Sequence, residues 1–105
     1  MNSVQGISKE QLVEWDRAHC WHPFTRQSEW CDAEHEPLML QSAQGVWLKD
    51  MDGNRYIDGN ASIWTNIHGH QHPLLDQAIK DQLKQVEHSS YLGYGHGLAS
   101  ELAAK

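Results

Sequence analysis

The chain has 105 residues and a formal net charge of −6 at pH 7, and 39% of its residues are hydrophobic. A chain of this length forms one small domain or part of a larger one, with a modest core. Nucleic-acid binding is disfavoured, because no run of Lys or Arg is present to neutralise phosphates. Neither a transmembrane segment nor a secretory leader is expected, since no apolar run approaches the roughly 20 residues that span a bilayer.

Tryptophan and cysteine add two further expectations. Five tryptophans in so short a chain carry much apolar surface, which must be buried in a core or against a partner. We therefore expect part of this surface to meet polypeptide outside residues 1–105, and we expect the chain to be marginally stable if it stands alone. Cys20 and Cys31 form neither a CxxC pair nor a disulfide framework, which fits reduced thiols in the cytoplasm.

Hydrophobic periodicity and turn residues predict an α+β fold: an N-terminal helix, a three-stranded antiparallel meander, then helices. Ser8 and Gln11 form a capping box for the first helix, which we expect to end near Ala18. The residues from His19 to Pro37 are predicted to be loop, since Pro23 cannot continue a helix. A tight turn at 52–54 joins the last two strands. The predicted strands are Leu38–Ala43, Val46–Asp50 and Arg55–Asp58.

The second half of the chain is predicted to be mainly helical. Gly59–His72 is expected to be a structured loop, and Pro73 then opens a second helix, where its missing N–H does no harm. A third helix is predicted to start at His96 or Gly97 and to show no stop signal before Lys105. We expect the second helix to pack through one face. The residues near that face are Leu75, Ala78, Ile79, Gln82, Leu83 and Val86.

Three alternating histidines, His68, His70 and His72, could bind zinc or copper if they lay on one face of a strand. The run lies between glycine-containing turns and ends at Pro73, and no Asp, Glu or Cys beside it completes a ligand shell. A loop whose histidines cap the next helix or line a cleft is therefore favoured. A small metal-binding protein is kept as the alternative of a different class.

A glycine-rich segment, Gly93–Gly97, precedes the third helix and could cradle a phosphate there. Its spacing fits neither the P-loop nor the dinucleotide fingerprint, so a hinge or subunit-contact loop is favoured. No G-x-S-x-G elbow is present to support a serine hydrolase. The residues alone thus indicate an α+β segment with an aromatic, histidine-rich cleft.

Trp21–Thr25 reads W-H-P-F-T after a short helix, and this block is similar to the opening of the diaminopelargonic acid aminotransferases. These are class III members of the fold type I family, whose cofactor is pyridoxal 5'-phosphate (PLP). Gly45–Gly59 resembles the class III pattern G-x-x-x-x-D-x-x-G-x-x-Y-x-D, and Ser62–Pro73 resembles its S-x-W-x-x-x-x-G-x-x-H-P segment. His88–Ala103 is similar to the next stretch of the class III pattern, so the resemblance runs from about His19 to Lys105.

The resemblance implies a transfer of an amino group to 8-amino-7-oxononanoate, giving 7,8-diaminononanoate in biotin biosynthesis. PLP would be held as a Schiff base on a buried lysine and supply the electron sink. The implied amino donor is S-adenosylmethionine, or lysine as in some relatives, and the implied assembly is a homodimer with active sites at the subunit interface. The alternative enzyme is another class III aminotransferase, acting on an ω-amino acid or an ornithine-like amine.

Three residues are carried over from the family as substrate-binding: Phe24, Ile63 and Trp64. Phe24 stands where some members have Tyr, so it lacks the hydroxyl that can bond the substrate. Ile63 stands where the family often has the first Trp of S-W-W. These two departures resemble the lysine-using relatives more than the S-adenosylmethionine users, and neutral variation in an apolar wall is the alternative.

The resemblance also implies that residues 1–105 are the N-terminal segment of the small domain of a longer enzyme. The large PLP-binding domain, with its phosphate loop, its Asp for the pyridine nitrogen and its catalytic lysine, would lie beyond Lys105. A Schiff-base lysine needs a buried site that depresses its pKa, whereas the lysines here fall on predicted surface elements. We expect none of them to form a specific aldimine, and the 105 residues alone to be inactive. These lysines are Lys9, Lys49, Lys80, Lys84 and Lys105.

Overall fold

The computed structural model describes residues 6–105. They divide into two compact units, a first that ends at His70 and a second that spans Gln71–Lys105. The predicted α+β class is confirmed, since helices accompany one three-stranded antiparallel sheet. In chain order the elements are α1 (Lys9–His19), α2 (Gln27–Trp30), β1 (Leu40–Gln44), β2 (Trp47–Asp50), β3 (Arg55–Ile57), α3 (Ala61–Trp64), α4 (Pro73–Leu83) and α5 (Gly97–Ala103).

Helix α1 begins as its capping signal predicts. The backbone N–H of Gln11 donates to Ser8 Oγ at 3.2 Å, and Ser8 has the extended dihedrals of an N-cap residue. The second half of the predicted capping box is wrong. The Gln11 side chain donates instead to Glu14 Oε2 at 3.0 Å, because a hydrogen bond to an ionised carboxylate is stronger than one between neutral groups.

A helical turn, α2, lies in the region predicted to be loop. Its N-cap, Arg26, makes no capping bond with its side chain but pairs with Glu29 Oε1 at 2.7 Å. The indole N–H of Trp30 donates to Asp16 Oδ2 of α1 at 2.8 Å, which fixes the end of the turn. One isolated turn is unstable by itself. The contact to α1, which periodicity cannot show, therefore explains why the loop prediction was wrong here.

The sheet has the order β1-β2-β3, with both pairs antiparallel, as the meander prediction requires. A register shift between Leu40 and Ser42 accompanies the later start of β1. Asp50, 2% exposed, closes the β2–β3 turn by accepting from the Asn54 N–H at 2.7 Å and from the Tyr56 hydroxyl at 2.8 Å. Burial opposes ionisation, but these hydrogen bonds hold the pKa of Asp50 below its ordinary value.

In the second unit, α4 begins at Pro73, as predicted, and ends at Leu83. The face predicted to be packed is open, with Leu75, Ile79 and Leu83 between 47% and 61% exposed. Helix α5 begins at Gly97, also as predicted. Within residues 6–105, no helix combines the length and the apolar character needed to cross a bilayer.

Apolar side chains contribute little buried surface to the described part of the chain. None of its large hydrophobic residues is buried, and the tryptophans at 15, 21, 47 and 64 are 40% to 80% exposed. Polar contacts, rather than a hydrophobic core, therefore hold the local geometry. The exposed apolar surface agrees with the expectation that part of it is to be covered by other polypeptide.

Candidate functional site

The turn α3 is left-handed. Its four residues have φ angles of 52° (Ala61), 50° (Ser62), 61° (Ile63) and 66° (Trp64). The N–H of Trp64 donates to the Asn60 carbonyl at 2.9 Å, as in a helix of the opposite hand. Each L-residue costs roughly 1–2 kcal/mol in this conformation, and a β-branched residue is a clear outlier. Backbone strain of this kind clusters at functional sites, so α3 marks a candidate site.

The carboxylate of Asp58 holds this turn in place. It accepts from the Ser62 N–H, the Ser62 hydroxyl and His70 Nε2, each at 2.8 Å. The hydrogen bond from the Ser62 backbone, followed by those from His70 and the Ser62 hydroxyl, lowers the pKa of Asp58 below its ordinary value. With its side chain only 6% exposed, Asp58 is therefore a shielded carboxylate that keeps all three donors satisfied.

The segment from Asp58 to His70 forms a loop with both ends on the β1–β2 turn. The Asp58 N–H donates to the Val46 carbonyl at 2.9 Å, and His70 exchanges two backbone hydrogen bonds with Gly45 at 2.8 and 2.9 Å. Gly69 has φ of 81°, and a Cβ there would lie 3.1 Å from Gly45 Cα. Compact loops with closed ends are frequently functional. We call this segment the Asp58–His70 loop.

A second polar cluster supports the W-H-P-F-T block. Asp16 Oδ2 lies 2.8 Å from both His22 Nε2 and Trp30 Nε1, and the His22 and Trp30 rings are 4.1 Å apart between centroids. Burial opposes ionisation of Asp16, but the hydrogen bonds from Trp30 and His22 outweigh it and lower its pKa. Phe24 follows on a turn with φ of 54° and is fully exposed.

The three predicted substrate residues share an exposed setting on left-handed backbone. Ile63 and Trp64 lie together on α3 and are 64% and 80% exposed, while Phe24 lies on a separate turn. Their contact with a substrate stays a prediction. Sequence reasoning missed the residues that hold them, Asp58 and Asp16. The spacing of Asp58 four residues before Ser62 was the available signal, since Asp often bonds nearby backbone in turns.

The histidine run does not form a metal centre in the described part of the chain. No three His, Cys, Asp or Glu side chains among residues 6–105 are grouped closely enough to hold an ion. His70 instead pairs with Asp58, an acidic partner 12 residues upstream. His72 occupies the N-cap position of α4, without a capping bond from its side chain. The metal-binding alternative therefore has no geometric support here.

The described lysines lie in ion-paired or exposed settings, and the expectation that none of them holds PLP stays a prediction. Lys9 forms ion pairs with Glu36 and Asp52, and the hydrogen bond that it donates to Asp52, then the one to Glu36, raises its pKa above the ordinary value. An aldimine lysine needs the opposite shift. Lys84 and Lys105 each lie 2.8 Å from a carboxylate on the surface. Lys49 and Lys80 are exposed.

Known proteins similar to this chain are aminotransferases. The adenosylmethionine-8-amino-7-oxononanoate aminotransferase of Nitratidesulfovibrio vulgaris is 51% identical over 95 residues, covering 90% of this chain and 17% of the relative. The protein of the same name from Geobacter sulfurreducens is 44% identical over 96 residues, covering 91% and 21%. The chain thus spans about a fifth of the length of the curated relatives it matches.

Solved structures give the same result. The adenosylmethionine-8-amino-7-oxononanoate aminotransferase of Methanocaldococcus jannaschii superposes with a TM-score of 0.85 at 36% identity, covering 92% of this chain and 22% of that one. An (S)-enantioselective omega-transaminase from Thermomicrobium roseum gives 0.84 at 33% identity, covering 96% and 22%. The family model described as Aminotransferase class-III matches residues 30–105. The resemblance inferred from the motifs is confirmed, and the chain belongs to the class III aminotransferases.

Proposed function

We propose that the complete protein carrying this chain is a PLP-dependent aminotransferase that converts 8-amino-7-oxononanoate to 7,8-diaminononanoate in biotin biosynthesis. The observation that carries this proposal is the similarity over 90% of the chain to relatives named for that reaction, at up to 51% identity. The W-H-P-F-T block at Trp21–Thr25 supports the same branch of the family. PLP would be bound by parts of the enzyme outside residues 1–105.

The role of this chain in that enzyme would be to wall the substrate side of the active site. Phe24, Ile63 and Trp64 are apolar, exposed and held on restrained turns. The substrate carries a long aliphatic chain, which such side chains can shield from water. We further propose a cytoplasmic homodimer whose subunit contacts cover part of the remaining apolar surface. The open face of α4 supports this, because a surface of that kind normally meets other polypeptide.

The amino donor is proposed to be S-adenosylmethionine or lysine. The names of the relatives favour S-adenosylmethionine. Phe24, without a hydroxyl, and Ile63, in place of an indole, favour lysine. The two possibilities differ in what the donor pocket must accommodate, a sulfonium with a nucleoside or a simple ammonium chain.

A second candidate function, transamination of an ω-amino acid or related amine, is favoured by the T. roseum transaminase at a TM-score of 0.84. The two functions are separated by assaying the product of the whole coding sequence, loaded with PLP, with 8-amino-7-oxononanoate as acceptor. We expect 7,8-diaminononanoate with one of the two donors, detected by mass spectrometry. Turnover of ω-amino acids without any such product would replace the first proposal by the second.

A further inference from the structure

The geometry of α3 requires support from outside the turn. Ile63 is β-branched and has φ of 61°, a conformation that such residues avoid. The turn's own bonds include Thr65 Oγ1 to the Ser62 carbonyl at 3.0 Å and Ile63 N–H to Asn60 Oδ1 at 3.4 Å. Bonds of this kind can form in many turns. The hand of the turn must therefore be set by contacts that bind it to the rest of the loop.

Asp58 and His70 supply those contacts. Asp58 is anchored through its own N–H to Val46, and His70 through two backbone hydrogen bonds to Gly45. From these fixed ends, the Asp58 carboxylate reaches both donors of Ser62, the second residue of α3. His70 Nε2 lies 2.8 Å from Asp58 Oδ2, the oxygen that also accepts from the Ser62 hydroxyl. The carboxylate thus joins the base of the loop to its tip.

We propose that Asp58 and His70 are positioning residues that hold α3 left-handed and thereby fix Ile63 and Trp64 against the aliphatic part of the substrate. This inference rests on the proposed function. Ile63 and Trp64 are the large apolar side chains that the turn exposes, and their directions follow directly from its backbone. A right-handed or extended backbone at the same positions would point both side chains elsewhere. Because these side chains are already ordered in the free enzyme, substrate binding loses less conformational entropy.

Asp58 and His70 would affect substrate binding and not the chemical step. Neither Asp58 nor His70 is required to touch a reacting atom, because both act through the backbone of α3. Their loss should therefore weaken the binding of 8-amino-7-oxononanoate while leaving the rate at saturation nearly intact. A catalytic residue would show the reverse, with kcat falling most.

The experiment compares the complete, PLP-loaded enzyme with its Asp58→Asn, Ser62→Ala and His70→Gln variants. Asp58→Asn should raise KM for 8-amino-7-oxononanoate about tenfold, with kcat within about threefold of wild type. Ser62→Ala, which removes one hydrogen bond and is the variant least prone to misfold, should raise KM about threefold. His70→Gln keeps a side-chain N–H that can reach Asp58, so it should retain most of the wild-type affinity. The matched control is Asp81→Asn, an exposed carboxylate on α4 bonded to Gln77 and Lys84, which should leave both constants unchanged.

A second readout needs no turnover. Chymotrypsin cleavage after Trp64 should be faster in Asp58→Asn and Ser62→Ala than in wild type and Asp81→Asn, because the turn loses its restraint. Unchanged KM together with unchanged cleavage in Asp58→Asn would overturn the inference. If the wild type fails to use 8-amino-7-oxononanoate, the proposed function fails, and the cleavage rates still decide whether Asp58 holds α3. Faster cleavage with unchanged KM would contradict the role in substrate positioning.

Discussion

Two aspartate–histidine pairs lie in the first unit, and they hold their loops in different ways. In each, a carboxylate oxygen lies 2.8 Å from histidine Nε2, near an exposed apolar residue at positive φ. Asp16 binds side chains only. Its second donor is the Trp30 indole N–H, and the His22 ring packs on Trp30. Asp58 instead binds the strained turn itself, since its other two donors are the backbone N–H and the side-chain hydroxyl of Ser62.

This difference predicts different sensitivities. Around Asp16, ring packing remains when one hydrogen bond is lost, so the cluster has a second source of stability. Around Asp58, two of the three donors belong to Ser62 on the strained turn, and no large apolar side chain among the described residues is buried to replace those hydrogen bonds. In the loop around Asp16, hydrogen bonds therefore act together with side-chain packing. In the loop around Asp58, they take the place of packing. Three measurements test whether the two loops differ in this way.

The largest expected effect on stability comes from Asp16→Ala. This change leaves the Trp30 and His22 donors without their acceptor, and we expect a loss of about 2 kcal/mol in the free energy of unfolding. Trp30→Phe removes one hydrogen bond but keeps a ring against His22, and it should cost about 1 kcal/mol. Urea unfolding of the complete protein measures both. Losses close to zero in both variants would show that ring packing, and not the carboxylate, holds this loop.

A smaller effect, of opposite sign at two positions, tests the left-handed turn. Ala61→Gly should stabilise the protein by about 0.5 to 1 kcal/mol, because glycine adopts positive φ without strain. Ala78→Gly, the matched change in right-handed α4, should destabilise by about 1 kcal/mol. The midpoints of urea unfolding report both changes. Destabilisation by Ala61→Gly would show that α3 carries little strain.

The smallest expected effect is a lowered pKa at the two aspartate carboxyl groups. The pKa values of Asp16 and Asp58 are lowered in the folded state, so each carboxylate stabilises the fold above its unfolded pKa of about 3.9. That contribution is lost as pH falls from this value through the folded pKa. Carbon NMR of the two carboxyl groups should give midpoints below the ordinary aspartate value. A midpoint at or above that value for Asp58 would contradict the hydrogen bonding described for it.

The parts of the fold that follow local rules could be predicted from the sequence. Ser8 caps α1 and Pro73 opens α4, because each signal acts within one helical turn. The turn α2 could not be predicted, since its end depends on a bond between Trp30 and Asp16, 14 residues apart. The hand of α3 depends in the same way on residues outside the turn, so no propensity or period could indicate it.

The residues of the candidate site also differ in whether the sequence could identify them. Phe24, Ile63 and Trp64 were identified through a family resemblance, which transfers positions in a motif. Asp58 and His70 act through geometry, and the sequence offered His70 only as one member of a histidine run. A motif can thus name the side chains presented to a ligand without naming the groups that present them.

The close approach of Gly69 to Gly45 has a consequence for tolerance to mutation. A Cβ at position 69 would meet backbone atoms of Gly45 at 3.1 Å, and backbone cannot swing aside as a flexible side chain can. Any substitution would push His70 from its anchor and release the strained turn at the far end of the loop. In a survey of random variants, position 69 would therefore be depleted together with the substrate-binding positions. The tolerance of position 69 to substitution would therefore resemble that of an active-site residue, although Gly69 presents no side chain.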